Sequence, residues 1–386
     1  MTERPIFLDY HAHGPLDPQV AEALSQAFLD VDANPHSGSI AGDAARVAVE
    51  TARAEVGCLL GVSSSGLVFT SGATEANNLA FAGIATALWR AGRRRILVSA
   101  VEHPSVLRAA EAVGDRFEVK VIPVTSQGLI DLDAFEALLT PDTGLVSVAA
   151  ANHEIGVLQD LPRIAALSRR AGAYVHSDLA QAAGKVAIDL SEIDLASVSA
   201  HKLHGPFGVG ALYMRRGIQK SMAPLLRGGG QERGFRSGTV PAPLCVGFGR
   251  AAIIAAQARS QEGARVLELR TRLWGHLNSA GGVTLNGDMT RRLPGNLNLC
   301  IAGVDAEALV MRLRHEVVLS TGSACTTSAL DPSPVLIALG LARPLAETAI
   351  RIGLGRFTTE PEIDRAASII LKAVADLRAV SQRAVA

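Results

Sequence analysis

The chain has little of what marks a disulfide scaffold, a zinc protein, a membrane protein or a nucleic-acid binder. Its four cysteines, Cys58, Cys245, Cys300 and Cys325, are far apart and form no C-x-x-C pair. That argues against a disulfide framework and a zinc site, and leaves at least one thiol open to a reactive role. Net charge is also absent. Lys plus Arg (37) equals Asp plus Glu (37), so no basic field attracts nucleic acid and no acidic one a cationic partner. Apolar runs such as GLVSVAAA (residues 144–151) fall far short of the roughly 20 residues that span a bilayer. The N-terminal MTERPIFLDY lacks an apolar signal core, so the default expectation is a cytoplasmic protein without a membrane partner. No internal repeat, heptad run or low-complexity linker stands out. What is present is 386 residues, 48% hydrophobic and 19% charged, enough to bury a large core and to divide into two domains.

Short apolar runs alternate with amphipathic, Ala-rich segments: ILVSA (96–100), VKVIPV (119–124), GLVSVAAA and AYVHSD (173–178). This alternation predicts an α/β sheet with parallel strands, whose strand ends are candidate ligand edges. Between Gly156 and Gly172 the spacing of Ile164, Leu167 and Ala171 predicts a crossover helix that stops at Gly172. After Gly249 the composition shifts to a helical stretch over about 250–279, then Gly/Asn-rich turns, short strands and a C-terminal helix over about 360–380. A domain boundary is expected near 250.

Two segments carry the chemistry. SAHKLHGPFGVG (199–210) surrounds Lys202 with Ser199, His201 and three glycines. Such a setting can bind a phosphate beside a planar ring, and a lysine there can bond covalently to pyridoxal phosphate and later act as base at a substrate Cα. STGSACTTSA (320–329) presents the Cys325 thiol among small polar neighbours. Upstream, FTSGATEANNLAFAG (69–83) reads as strand, turn and helix. Its amides near Ala73 and Thr74 suit a phosphate, although an ordinary helix start reads the same. Asp178 ends a strand and is either a helix cap or a carboxylate for a pyridine nitrogen; Gln181, three residues on, suits the ring's phenolic oxygen. His103, after another strand, either stacks on a ring or is structural. Cys58, Cys245 and Cys300 are expected to be buried apolar thiols.

With these residues goes a resemblance. In chain order, LDYHAHGPLDP, NPHSGSIAG, TSGATEANNLAFAG, EHPSV, NHEIGVLQD, HSDLAQAAGK, SAHKLHGPFGVG, GGGQERGFRSGT, STGSAC and IRIGLGRFTTEPEID make nearly the whole chain similar to the pyridoxal-phosphate-dependent cysteine desulfurases of the aminotransferase class V group. The resemblance implies the PLP-dependent transferase fold of type I: an α/β large domain with a mixed, mainly parallel sheet over 16–250. A smaller α+β domain over 251–386 would carry the thiol loop, with residues 1–15 packing against it. It also implies a homodimer. Lys202 would be the lysine joined to the cofactor, His103 would stack on the ring, Asp178 would face its nitrogen and Gln181 its phenolic oxygen. The phosphate would be held by Ala73, Thr74, Ser199 and His201, and by Thr239 from the partner subunit. Arg351 would grip the substrate carboxylate, with Asn152 and His13 near the substrate, and Cys325 would be the nucleophile. No resident metal is implied, though Cys325 can transiently ligate an iron–sulfur cluster. The implied reaction converts L-cysteine to L-alanine and leaves the sulfur on Cys325 as a persulfide for an acceptor protein, in iron–sulfur cluster assembly or thiolation.

Three departures from the family pattern stand out. Asn-Asn-Glu becomes Asn152-His153-Glu154, which puts a larger, titratable His153 at a cofactor- and substrate-facing position. Ala-Thr-Thr-Pro becomes Ala12-His13-Gly14-Pro15. The chain also ends soon after its last helix, so docking to a standard scaffold protein is not expected. The histidines keep open a lyase acting on selenocysteine or another β-substituted amino acid. A non-catalytic scaffold is the third reading, against which Lys202 and Asp178 speak.

Overall fold

The computed structural model describes residues 4–321 and 332–385. A seven-stranded sheet runs in the order Leu67–Thr70, Gly210–Met214, Leu195–Ser199, Tyr174–Asp178, Thr143–Ser147, Arg95–Ser99, Glu118–Ile122. Gly210–Met214 is antiparallel to both its neighbours, and the other pairings are parallel. The expected parallel sheet is therefore a mixed one with a single reversed strand. Side chains alternate between its faces, as the period of two requires. Ile96, Val98, Leu195 and Leu212 enter one core, while Leu97, Val146, Val175 and Ala196 enter the other. Both faces are covered, which is why the strands read as continuous apolar runs.

The crossover helix forms over Leu161–Arg170. Asp160 caps it through Arg163 N, Pro162 lies in its first turn, and Arg169 and Arg170 fall in its last. Gly172, at φ 72°, ends it as expected. A second antiparallel sheet, in the order Ser320–Thr321, Ala349–Gly353, Asn296–Ile301, Val283–Leu285, packs against the C-terminal helix Glu360–Val385. Its core gathers Leu297, Leu299, Ile350, Ile352, Ile363 and Ile370. The N-terminal Ile6–Phe7 pairs in parallel with Val317–Val318, and Leu8 enters that same core.

The long helix starts eight residues before the sequence expectation and runs unbroken over Ala242–Asn278. Its first half buries Cys245, Phe248, Ala251 and Ala255 in the large-sheet core. Its second half buries Val266, Leu269, Leu273 and Leu277 in the small-sheet core. The two sheets are thus fixed to one rod, and the cleft between them holds the site.

Candidate active site

The reversed strand decides where chemistry gathers. Thr70 and Ser199 both pair with Gly210, and Asp178 pairs with Ser197. The C-terminal ends of these parallel strands therefore share one edge. Gly210 is obligatory there, since a Cβ would stand 2.7 Å from Gly72 Cα and 2.5 Å from Val198 O. Gly72 itself takes φ 155°, ψ 179°, a conformation essentially confined to glycine, and starts the helix Ala73–Arg90 without a side-chain cap. The first amides of that helix, including those of Ala73 and Thr74, are left for an outside acceptor. Thr74 itself is exposed.

Lys202 lies in the short turn Ala200–Leu203 directly after the strand ending at Ser199. Its Nζ donates to the carbonyls of His11 and Ala12, the latter at 2.6 Å. Ser199 Oγ and His201 Nδ1 are 2.7 Å apart, and the His201 ring stacks on Phe207 at 5.2 Å and 18°. Burial, with Lys202 and His13 nearby, lowers the His201 pKa to about 4. His13 reaches the same ring, with centroids 5.8 Å from Phe207 and 5.0 Å from Phe7.

Asp178 is 6% exposed, and its bonds come from neutral donors, Asn77 Nδ2 and Ala180 N, both at 2.8 Å. Asn77 Nδ2 also donates to Ser105 Oγ at 2.9 Å, and Ser105 Oγ bonds His103 Nδ1 at 2.8 Å. A chain of hydrogen bonds so joins the two groups expected at the cofactor ring. His103 Nδ1 also accepts from Ser105 N, which caps the helix Pro104–Glu111. Its remaining face meets His153, with ring centroids 5.0 Å apart at 76°. Burial first and His153 second push the His103 pKa down to about 4, against the pull of Asp178.

Arg351 is 2% exposed on the central strand of the small sheet. Its Nη2 pairs with Asp9 Oδ1 and its Nη1 donates to His153 O, both at 3.0 Å, while Nε has no partner among the described residues. His153 Nε2 stands 3.5 Å from Glu154 Oε1, and Ser333 Oγ donates to Glu154 Oε2. Asn152 is committed to the backbone. It donates to Val101 O and accepts from Glu154 N and Ile155 N.

Gln181 bonds His11 at both ends, and its Oε1 also accepts from Lys185 Nζ at 3.2 Å. Thr239 is exposed, close in sequence to the Arg236–Glu75 ion pair that ties its segment to the helix start. Cys325 lies outside the described residues. Cys245 and Cys300 are buried, and burial pushes both thiols up. Cys58 is exposed, contrary to expectation, because it faces outward on its helix while Val56, Gly57, Leu59 and Leu60 face in.

Sequence reading missed His11, Asn77, Ser105, Lys185 and Asp9. Asn77 follows Ala73 by one helical turn and Ser105 follows His103 by two residues, signals that were readable. Lys185 follows Gln181 by four residues, a signal equally readable, while His11 and Asp9 depend on long-range contact.

The aminotransferase class V family model matches residues 6–366. The chain belongs to the aminotransferase class V family. This family member is 44% identical over 382 residues to the cysteine desulfurase IscS of Rickettsia felis, covering 98% of the chain and 93% of the relative. It is 44% identical to the mitochondrial cysteine desulfurase of Eremothecium gossypii, covering 98% of the chain and 78% of that relative. A solved NifS-like protein superposes with a TM-score of 0.90 at 34% identity, covering 97% of this chain and all of the other. The class V chain thus has the NifS-like architecture. No helix among its described residues is long and apolar enough to cross a membrane.

Proposed function

We propose that the chain is a pyridoxal-phosphate-dependent cysteine desulfurase of the sulfurtransferase class, acting as a homodimer in the cytoplasm. The near-full-length likeness to curated cysteine desulfurases carries this reading. We read residues 16–250 as its cofactor-binding domain, and 251–386 with 1–15 as the smaller one.

The residues present fit the cofactor. Asp178 is a buried carboxylate with only neutral hydrogen-bond donors, which suits a ring N–H. The uncapped helix start at Ala73 and Thr74, with Ser199 and His201 at the same edge, suits a phosphate. Thr239 of the partner subunit is assigned there too. His103 and His153 offer ring faces, and Gln181 offers a donor to the phenolic oxygen. When bound, pyridoxal phosphate supplies a sink for the electron pair left at Cα when its proton is removed.

Lys202 is the base at Cα. Its Nζ is held at the strand edge by the His11 and Ala12 carbonyls. Arg351 binds the substrate carboxylate. Its guanidinium has five N–H donors, of which Asp9 and His153 O take two. The Cys325 thiolate attacks the substrate sulfur: an S–S bond forms, the Cβ–S bond breaks, and Cβ takes the electron pair and a proton. L-alanine leaves and a persulfide stays on Cys325 for an acceptor protein. No feature of the site favours a selenocysteine lyase or a non-catalytic scaffold.

The test is a visible spectrum during addition of L-cysteine, with alanine and sulfide assayed for wild type and Cys325→Ala. A cofactor band, with both products lost in the variant, is expected. Retained alanine release would turn the reading into a lyase, and no band under cofactor-replete conditions would overturn it.

A further inference from the structure

Gln181 is 5% exposed, and its amide has a fixed orientation. Nε2 lies 2.9 Å from the His11 carbonyl, which only accepts, so that atom must be the donor. Oε1 then faces two groups, His11 Nδ1 at 3.1 Å and Lys185 Nζ at 3.2 Å. An amide oxygen cannot donate, so His11 carries its proton on Nδ1. His11 Nε2 is left as a bare lone pair, buried with no partner among the described residues. Turning the amide over would set its NH2 against the Lys185 ammonium and its oxygen against the His11 carbonyl. Two bonds would become two repulsions, and His11 would have to move its proton to Nε2.

Lys185, His11 and Lys202 line a partly open cavity of about 40 Å³, walled by Leu203, Ala255 and Leu293. Lys185 forms no ion pair with the described residues. Its side chain is exposed only in part, along the cavity, and desolvation lowers its amine to about 7, with Lys202 and Arg351 adding to the effect and Glu262 opposing it. The His11 carbonyl also receives Lys202 Nζ, so one residue of the N-terminal segment joins the covalent lysine to the amide.

We propose that Lys185 and His11 are positioning residues that lock Gln181 with its N–H side available to the cofactor's phenolic oxygen. The proposal rests on the functional reading above, which sets Gln181 beside that oxygen. A fixed donor stabilises the ionised oxygen, and losing it moves the pH at which the bound cofactor's spectrum changes.

The experiment is a pH titration of visible absorbance in the pyridoxal-phosphate-loaded protein, for wild type, Lys185→Met and His11→Phe. The Gln181 side-chain amide protons are followed by NMR, with and without cofactor. Each variant is expected to raise the absorbance midpoint by about one unit, the worth of one hydrogen bond, and to speed exchange of the Gln181 amide protons. Variants that keep the wild-type midpoint overturn the proposal. So does a shifted midpoint with unchanged amide exchange, which would mean that Lys185 acts by charge alone. Absence of any visible band in wild type defeats the functional reading instead, and amide exchange in the cofactor-free protein still decides whether Lys185 and His11 lock Gln181.

Discussion

Replacing Arg351 by lysine keeps the charge and removes the fork. The guanidinium spends two donors on Asp9 Oδ1 and His153 O and has three left, one of them the unpartnered Nε–H. A lysine has three donors in all. If two still serve Asp9 and His153, one remains, and a substrate carboxylate loses one charge-assisted bond. Such a bond is worth about 1.5–3 kcal/mol, so the Arg351→Lys variant is expected to raise KM for L-cysteine about 10- to 100-fold. Because a cation still neutralises Asp9, the melting temperature should change little and kcat should fall less than KM rises. Steady-state alanine formation over a range of cysteine concentrations measures both. An unchanged KM with a collapsed kcat would refute the assignment, because Arg351 would then act in the chemical step rather than in holding the carboxylate.

Glu232→Gln should cost about 1.5–3 kcal/mol, because buried Arg53 loses one of its two carboxylate partners and keeps Glu50, and urea unfolding reads this directly; a loss under about 0.5 kcal/mol would contradict it. His153→Asn removes one of the influences holding His103 near 4, so the His103 pKa should rise by about half a unit or more in an NMR titration. Unchanged His103 titration would separate the two rings electrostatically. Lys185, at about 7 folded against 10.5 unfolded, gives the unfolded chain the extra proton between those values. Its contribution to stability is therefore unfavourable below pH 7 and fades as pH rises towards 10.5, over a span of about 2–5 kcal/mol. Lys185→Met should flatten that dependence in urea unfolding of cofactor-free protein, and an unaltered slope would remove the claim.

Short continuous apolar runs wrote most of the large sheet into local sequence, and strand-end residues such as Asp178, Ser199 and His103 were readable because polar groups after apolar strands face the ligand edge. The direction of Gly210–Met214 was not readable, because antiparallel or parallel pairing depends on a partner far along the chain. The start of the long helix at Ala242 was also missed. Small residues such as Ala242 and Gly247 carry little periodic signal until the large-sheet core buries them. Cys58 shows the converse, an apolar-looking position that helix phase turns to solvent.

By itself, then, the sequence determined the class of fold, the family, and the residues whose chemistry is set by their own type: an amine, a carboxylate, an imidazole. Tertiary structure alone decided their surroundings. His11 meets Gln181 across 170 positions, Arg351 meets Asp9 across 342, and Asn77 meets Asp178 across 101. Hydrogen bonding and desolvation fall off within a few ångströms, so the protonation and orientation of each group follow from which distant segments the packing brings beside it.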